Sequence, residues 1–337
     1  MTSEKAVLAF TGDVMFGRGV NEMIGLKGAG YPWGDMTALL GGADLRLINL
    51  ECVIAADGRP WSRTPKTFLF RADPIAIESL KLAGVDFVAL ANNHSLDFEA
   101  PALSEMVDRL DAAGIARAGA GRDLREATRP ALLDAAGLTV AVISLTDNEP
   151  HWAAGPGRPG VNYFPITLEA GNFGRIQALI TEAGRSADLT VMTTHWGPNM
   201  VEAPSSGFRR FARAAIDAGV DIFHGHSAHI FQGIEVYREK LIMYDTGDFV
   251  DDYAIDPELR NDLSFLFMVT VTGGRPAKVE MVPVLIDDCQ ATQAIGRAAD
   301  NALTRMARAC GRLRTPVERG GERLVVSVSG EPLRKAA

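Results

Sequence analysis

The chain has 337 residues, 47% apolar and 23% charged, which suits a globular protein with one large core or two smaller ones. A net charge of −8 excludes nucleic acid as a main partner, since phosphate contacts need a basic footprint, but allows an anionic substrate held by a local arginine. Three scattered cysteines form no disulfide framework, the N-terminus lacks a signal-peptide pattern, and no apolar run nears the roughly 18 residues that span a bilayer. The expectation is a soluble cytoplasmic protein without a membrane anchor.

In chain order, residues 7–10 form a short apolar strand that ends in Thr11-Gly12-Asp13, with Arg18 close behind. Residues 43–48 repeat the design and lead to Glu51. The stretch GRPWSRTPKTFLFR, residues 58–71, is proline-containing and basic and reads as an irregular surface loop. Residues 74–83 have helical spacing, with Gly84 suited to a left-handed cap. Residues 85–90 form the next strand, which ends in Asn92-Asn93-His94, three residues before Asp97; residues 102–113 form a helix.

Residues 138–145 are strand-like, and 146–163 make a long loop containing His151. A helix over 173–183 precedes a strand over 187–192, which ends in Thr193-Thr194-His195-Trp196. A helix over 208–218 stops at Gly219. The apolar strand over 220–223 then ends at His224, His226 and His229. From 234 to 286 the pattern changes to antiparallel strands with a hairpin at Gly273-Gly274. A long helix is expected over 291–313 and a last strand over 323–329. No linker interrupts the chain, so residues 1–290 are expected to form one domain, completed by 291–337.

Several strands therefore end in metal-ligand side chains: Asp13, Glu51, Asn93, His195 and His226. Right-handed crossovers would bring parallel strand ends to one edge of one sheet, where open α/β sheets bind ligands. Five of the six histidines fall at such ends, a sorting that scattered structural histidines would not produce. The oxygen and nitrogen donors suit one or two divalent ions: Mn, Fe or Zn, or Mg or Ca if oxygen dominates. His94 is the candidate acid/base, oriented by Asp97, with His229 or His224 as a second base or a further ligand. Arg18 is placed to hold an anionic oxygen of the substrate. His224 and Trp196 join it as candidate substrate contacts.

The motifs TGDVMFGR, NLE, KTFLF, LANNHSLDF, THWG, GHSAHIFQGIEVY and YDTGDF occur in that order. Together they resemble the CapA-type poly-γ-glutamate capsule-synthesis family, within the calcineurin-like metallophosphoesterase superfamily, over about residues 7–287. The resemblance implies an α/β sandwich of two mixed sheets flanked by helices, with a divalent metal site. By it, Asp13 matches the first aspartate, Glu51 the second acidic position and Asn93-His94 the Asn-His pair. His195 matches the isolated histidine and His226 the Gly-His motif.

Three departures stand out: Met15 where phosphoesterases carry a histidine, Glu51 in place of a bridging aspartate, and the His226-x-x-His229 spacing. They weaken a two-metal phosphatase reading. The expected function is metal-dependent chemistry on a peptide or poly-γ-glutamate-type substrate, by amide hydrolysis or other tailoring. A peptide α-carbon epimerase, a metallophosphoesterase and a non-catalytic capsule-assembly factor are the alternatives. Substrate, metal and oligomeric state stay open.

Overall fold

Alternation along the first strand sets the layering. In β1 (Lys5–Val14), Ala6, Leu8 and Phe10 enter one apolar cluster while Ala9 and Val14 enter another, so both faces are covered. The computed structural model describes residues 5–329. Strands β2 (Leu45–Leu50), β3 (Phe87–Ala89) and β4 (Ala116–Ala118) follow β1 in parallel.

The chain then builds a second sheet from β5 (Ala131–Ala135), β6 (Leu138–Thr146), β7 (Leu189–His195), β8 (Ile222–His226), β9 (Ile234–Tyr237) and β10 (Lys240–Met243). Its order is β9-β10-β8-β7-β6-β5, with antiparallel strands at both edges. β11 (Asp248–Val250) returns to pair with the end of β1. β12 (Leu263–Thr272), β13 (Arg275–Asp287), β14 (Gln290–Gln293), β15 (Glu318–Gly320) and β16 (Arg323–Ser327) then extend the first sheet. Its path is β15-β16-β13-β12-β1-β2-β3-β4.

The two mixed sheets are those expected, but their membership is not. Parallel and antiparallel strands were expected to segregate; instead each sheet holds both. The free edge of β1 is taken by antiparallel β12, from Lys5 against Thr272 to Phe10 against Phe267. The later parallel strands therefore form around β6 in a sheet of their own. The strand at the histidines runs through His224 to His226 rather than stopping before them. The terminal helix starts at Gly296, not at residue 291, because residues 290–293 turn back and pair with the end of β13.

Phe10, Phe267, Val191, Ile222 and Met243 fill the space between the sheets. Helices Arg18–Lys27, Ala76–Leu82 and Glu99–Ala113 cover the outer face of the first sheet through Ile24, Leu80 and Leu103. Helices Ala170–Gly184 and Ser206–Ala218 cover the second through Ile180, Phe211 and Ile216. Helix Gly296–Arg312 sends Leu303 and Met306 into the inter-sheet core. Residues 1–4 and 330–337, the ends of the expected domain segments, lie outside the described residues. Among the described residues, no helix is long and apolar enough to cross a membrane.

Gly12 lies where β1 meets β11. A Cβ there would sit 1.9 Å from the Gly247 carbonyl oxygen. The bare backbone is what lets Asp13 pair alongside Asp248. Gly12→Ala is therefore expected to destabilise the fold by ~1–3 kcal/mol or more, the range for overpacking a filled interior. Urea unfolding reads this directly, and an unchanged midpoint would contradict the close approach.

Candidate metal centre and adjoining cavity

The strand parity that layers the sheets also builds the site. On β2, Leu45 and Leu47 face the inter-sheet core, and steps of two continue that face to Asn49 and then Glu51. On β7, Leu189 and Val191 lead to Thr193 and His195; on β8, Ile222 leads to His224 and His226. Pairing sets Thr193 beside His224 and His195 beside His226. Asp13, near the end of β1, has Asn49 on one side and Asp248 on the other. Ligand-type side chains thus converge from the ends of two sheets, not from one edge of one sheet as expected.

Asp13, Glu51, His195, His226 and Asp248 are fully buried. Asp13 Oδ1 lies 3.5 Å from His226 Nδ1 and 3.9 Å from His195 Nδ1. Glu51 Oε1 lies 3.7 Å from His195 Nε2. His229 Nδ1 lies 2.8 Å from Asp248 Oδ1 and 3.6 Å from Asp13 Oδ2. The backbone of His229 has φ of 59°, a strained conformation for a histidine and one found disproportionately at functional sites. Two groups emerge: Asp13 with His195 and His226, and Asp13 with Glu51, His229 and Asp248. Each places its ligand atoms within 4.8 Å of one another.

Asp13 Oδ2, Glu51 Oε1, Asp248 Oδ2 and His195 Nε2 are buried without a hydrogen-bond partner, which is rare and costly. Burial lifts the carboxyls of Asp13, Glu51 and Asp248 well above their usual range, and neighbouring carboxylates add to the rise. Burial depresses His195 and His226, keeping both imidazoles neutral. His229 is opposed by burial too, but the carboxylates of Glu51 and Asp13 raise it. Crowded carboxylates beside neutral imidazoles form a donor set that a divalent cation would satisfy. Outer contacts hold the set: Asn49 Nδ2 donates to Asp13 Oδ1 at 2.7 Å, and Thr193 Oγ1 lies 2.9 Å from His226 Nε2.

Beside this cluster lies a cavity of about 640 Å³, with Arg18, Lys66, Phe68, Asn93, His94 and His229 in its walls. His94 Nε2 is 4.0 Å from Glu51 Oε1, and its Nδ1 is 2.5 Å from Asp97 Oδ2. Asp97 also accepts from the Phe70 amide at 2.7 Å and lies 3.5 Å from Lys66 Nζ. The His94 ring stacks on Phe70, with centroids 4.0 Å apart. Burial pushes Asp97 up to about 8 and holds His94 well below its usual value. Both shifts favour uncharged forms.

The remaining candidates fall differently. Asn93 lines the cavity with its Oδ1 buried and unpartnered. Arg18 lines it too, but is ion-paired with Asp252, its Nε 3.0 Å from Oδ1. His224, expected to touch substrate, is 1% exposed, and both ring nitrogens are engaged by Thr193, Thr246 and the Thr11 carbonyl. It braces the core because Phe10 covers its ring. Trp196 is likewise buried, donates to the Tyr244 carbonyl at 2.9 Å and packs against Phe208 and Phe223, away from the large cavity.

Sequence reasoning missed Asp248, although a signal was present: Thr246-Gly247-Asp248 repeats Thr11-Gly12-Asp13. It also read residues 58–71 as mere surface, whereas Phe70 is buried and Lys66 reaches the Asn93 carbonyl at 2.5 Å.

The family profile described as bacterial capsule synthesis protein PGA_cap matches residues 7–253. The chain belongs to the PGA_cap family. It is 34% identical over 319 residues to a probable polyglutamine synthesis accessory protein of Mycobacterium tuberculosis, covering 82% of this chain and 83% of that one. It is 29% identical over 258 residues to the capsule biosynthesis protein CapA of Bacillus anthracis, covering 74% and 61%. A hypothetical protein from Thermus thermophilus has a similar fold, with a TM-score of 0.50 at 16% identity, covering 82% of this chain and 98% of that one.

The whole cluster from Asp13 to Asp248 lies inside the PGA_cap match. At the departure noted above, Met15 is fully buried and its Sδ accepts from the Gly17 amide at 2.9 Å. That position is a packing position here and offers no imidazole.

The crowded carboxyls of this PGA_cap member set a sign for the metal-free protein. Unfolded, the acids ionise near 3.8 and 4.5; folded, they hold protons to higher pH. At these acids the native state binds more protons, so their contribution to stability declines as pH rises above the unfolded values. The buried histidines His94, His195, His224 and His226 are held below 6.5 and act with the opposite sign up to that pH, so urea midpoints of chelator-treated protein are expected to drop above about pH 7, and manganese is expected to flatten the decline. A flat metal-free profile would contradict this.

Proposed function

We propose that the protein is a metal-dependent enzyme acting on a peptide or poly-γ-glutamate-type chain, by amide hydrolysis or another tailoring of that chain. The observation that carries this reading is His94 on the cavity wall, held at Nδ1 by Asp97 with Nε2 turned towards Glu51. A scaffold needs no oriented imidazole beside a donor cluster. The polyglutamine- and capsule-related names of the relatives support the substrate class.

Asp13, Glu51, His195, His226, His229 and Asp248 would hold the metal, with Asn93 as a neutral donor. The chemistry supplied by such an ion is polarisation of a carbonyl oxygen and activation of water. Arg18 and Lys66 draw an anionic chain into the cavity. His94, uncharged at rest, takes a proton at Nε2 from the attacking water and passes it to the departing amine, while Asp97 keeps Nδ1 engaged. Phe70 backs the ring and excludes water from it.

A second reading rests on His229, which lines the same cavity and in this reading serves as a base instead of holding the metal. Two imidazoles there allow one to remove an α-proton and the other to return it, giving epimerisation. Incubation of the manganese-loaded protein with γ-glutamyl peptides in heavy water tests both. New termini are expected. Deuterium at an α-carbon of an uncleaved peptide would replace hydrolysis by epimerisation. Neither change, with metal bound and only an aryl phosphate turned over, would sink the peptide reading.

A further inference from the structure

A second cavity, of about 220 Å³, has Asp251, Asp252, Asp262, Asp287 and Asp288 in its walls. It shares Tyr253 and Asn261 with the large cavity, so the two adjoin. Two of its acids are already matched. Asp252 pairs with Arg18, and Asp262 accepts from Arg260 Nε at 2.6 Å. Among the described residues, Asp251, Asp287 and Asp288 make no ion pair; Asp288 accepts only from the Tyr31 hydroxyl at 2.9 Å.

Asp251 is the telling residue. It is 5% exposed, its Oδ1 accepts from the Tyr253 amide at 2.7 Å, and its Oδ2 is buried with no partner. His229 and Arg18 act on Asp251 from a distance, but neither pairs with its Oδ2, and a buried carboxylate oxygen without a partner is rare and costly. A compact divalent ion does not fit. Among the described residues, three or more acid or imidazole ligand atoms come within 4.8 Å of one another only around Asp13. Carboxylates spread around a small cavity suit a bulkier cation with several N–H donors.

We infer that this cavity is a subsite for a primary ammonium group of the substrate, either a chain-terminal amine or a lysine-type side chain. The inference rests on the peptide reading above. A chain whose reacting amide lies beside His94 sends its amine alongside Tyr253 to Asp251, where Asp287 and Asp288 add negative potential.

Calorimetric titration of the manganese-loaded protein with a γ-glutamyl tripeptide and its N-acetyl form is the test. The free amine is expected to bind roughly tenfold tighter, as expected for a desolvated charge pair. Asp251→Asn and, separately, the exposed Asp288→Asn are each expected to reduce that preference with metal content unchanged. Replacing the tripeptide with N-acetyl-lysine amide separates a side-chain amine from a terminal one. Equal affinity of both tripeptides for the wild type, or a preference that survives both substitutions, overturns the inference. So does calcium binding that depends on Asp251. Titration with n-butylammonium chloride reads the subsite without any peptide. If only the peptide reading is wrong, it still binds the wild type more tightly than Asp251→Asn; if the subsite is wrong, it binds neither.

Discussion

Asp13→Ala is expected to strip the protein of divalent metal. Asp13 is the one residue common to both donor groups, with Oδ1 towards His195 and His226 and Oδ2 towards His229. Its loss leaves the 3.7 Å contact between His195 and Glu51 as the link from the imidazoles of β7 and β8 to the remaining carboxylates. Outer contacts to a ligand are typically worth ~10–100-fold in metal affinity, so Asn49→Ala should fall in that range and Asp13→Ala beyond it. Elemental analysis of protein purified without chelator should find about one or two ions per wild-type chain and close to none in the variant. The fold itself should persist, because removing one of three crowded buried carboxyls relieves repulsion in the metal-free state. A variant that folds and retains full metal would remove Asp13 from the centre. A wild-type chain that takes up no metal on titration would remove the centre itself.

His94→Ala is expected to do the opposite: keep the metal and lose the chemistry. The His94 ring touches Asp97 and Phe70 but stands 4.0 Å from the nearest cluster oxygen, Glu51 Oε1. Turnover should fall by roughly 10²-fold or more, the usual share of a general acid or base. Asp97→Asn should lower turnover less, since the imidazole remains but loses the partner that orients it. Metal content and turnover must be measured on the same preparation. Metal lost with His94 would make it a ligand, and unchanged turnover would take it out of the mechanism.

How much of this was legible beforehand depends on whether local rules decide it. Asp13, Glu51, His195 and His226 stand at the ends of apolar runs, and strand parity with short connections is enough to place such residues near a sheet end. The contact between Asp97 and His94 is local as well, three residues along one turn. Helix ends were off by up to five residues, as where the terminal helix begins at Gly296 rather than at residue 291, because capping leaves weak sequence marks.

The partition of strands between sheets was not local. It depends on β12, more than two hundred residues away, pairing antiparallel along β1 from Lys5 to Phe10 and leaving only the end of β1 to the short parallel strand β11. The same holds for the histidines. His224 and His226 share a strand and a face, yet His224 lies beneath Phe10 with its nitrogens held by threonines and a backbone carbonyl, while His226 reaches Asp13. His229, Asp248 and Lys66 join the site only because loops and a returning strand close over it. Residue type and period say which side chains can serve as ligands. Which of them meet was decided by how deeply the ends of two separate sheets overlap, a distance set by packing across the core and by a backbone approach at Gly12 too close for any side chain.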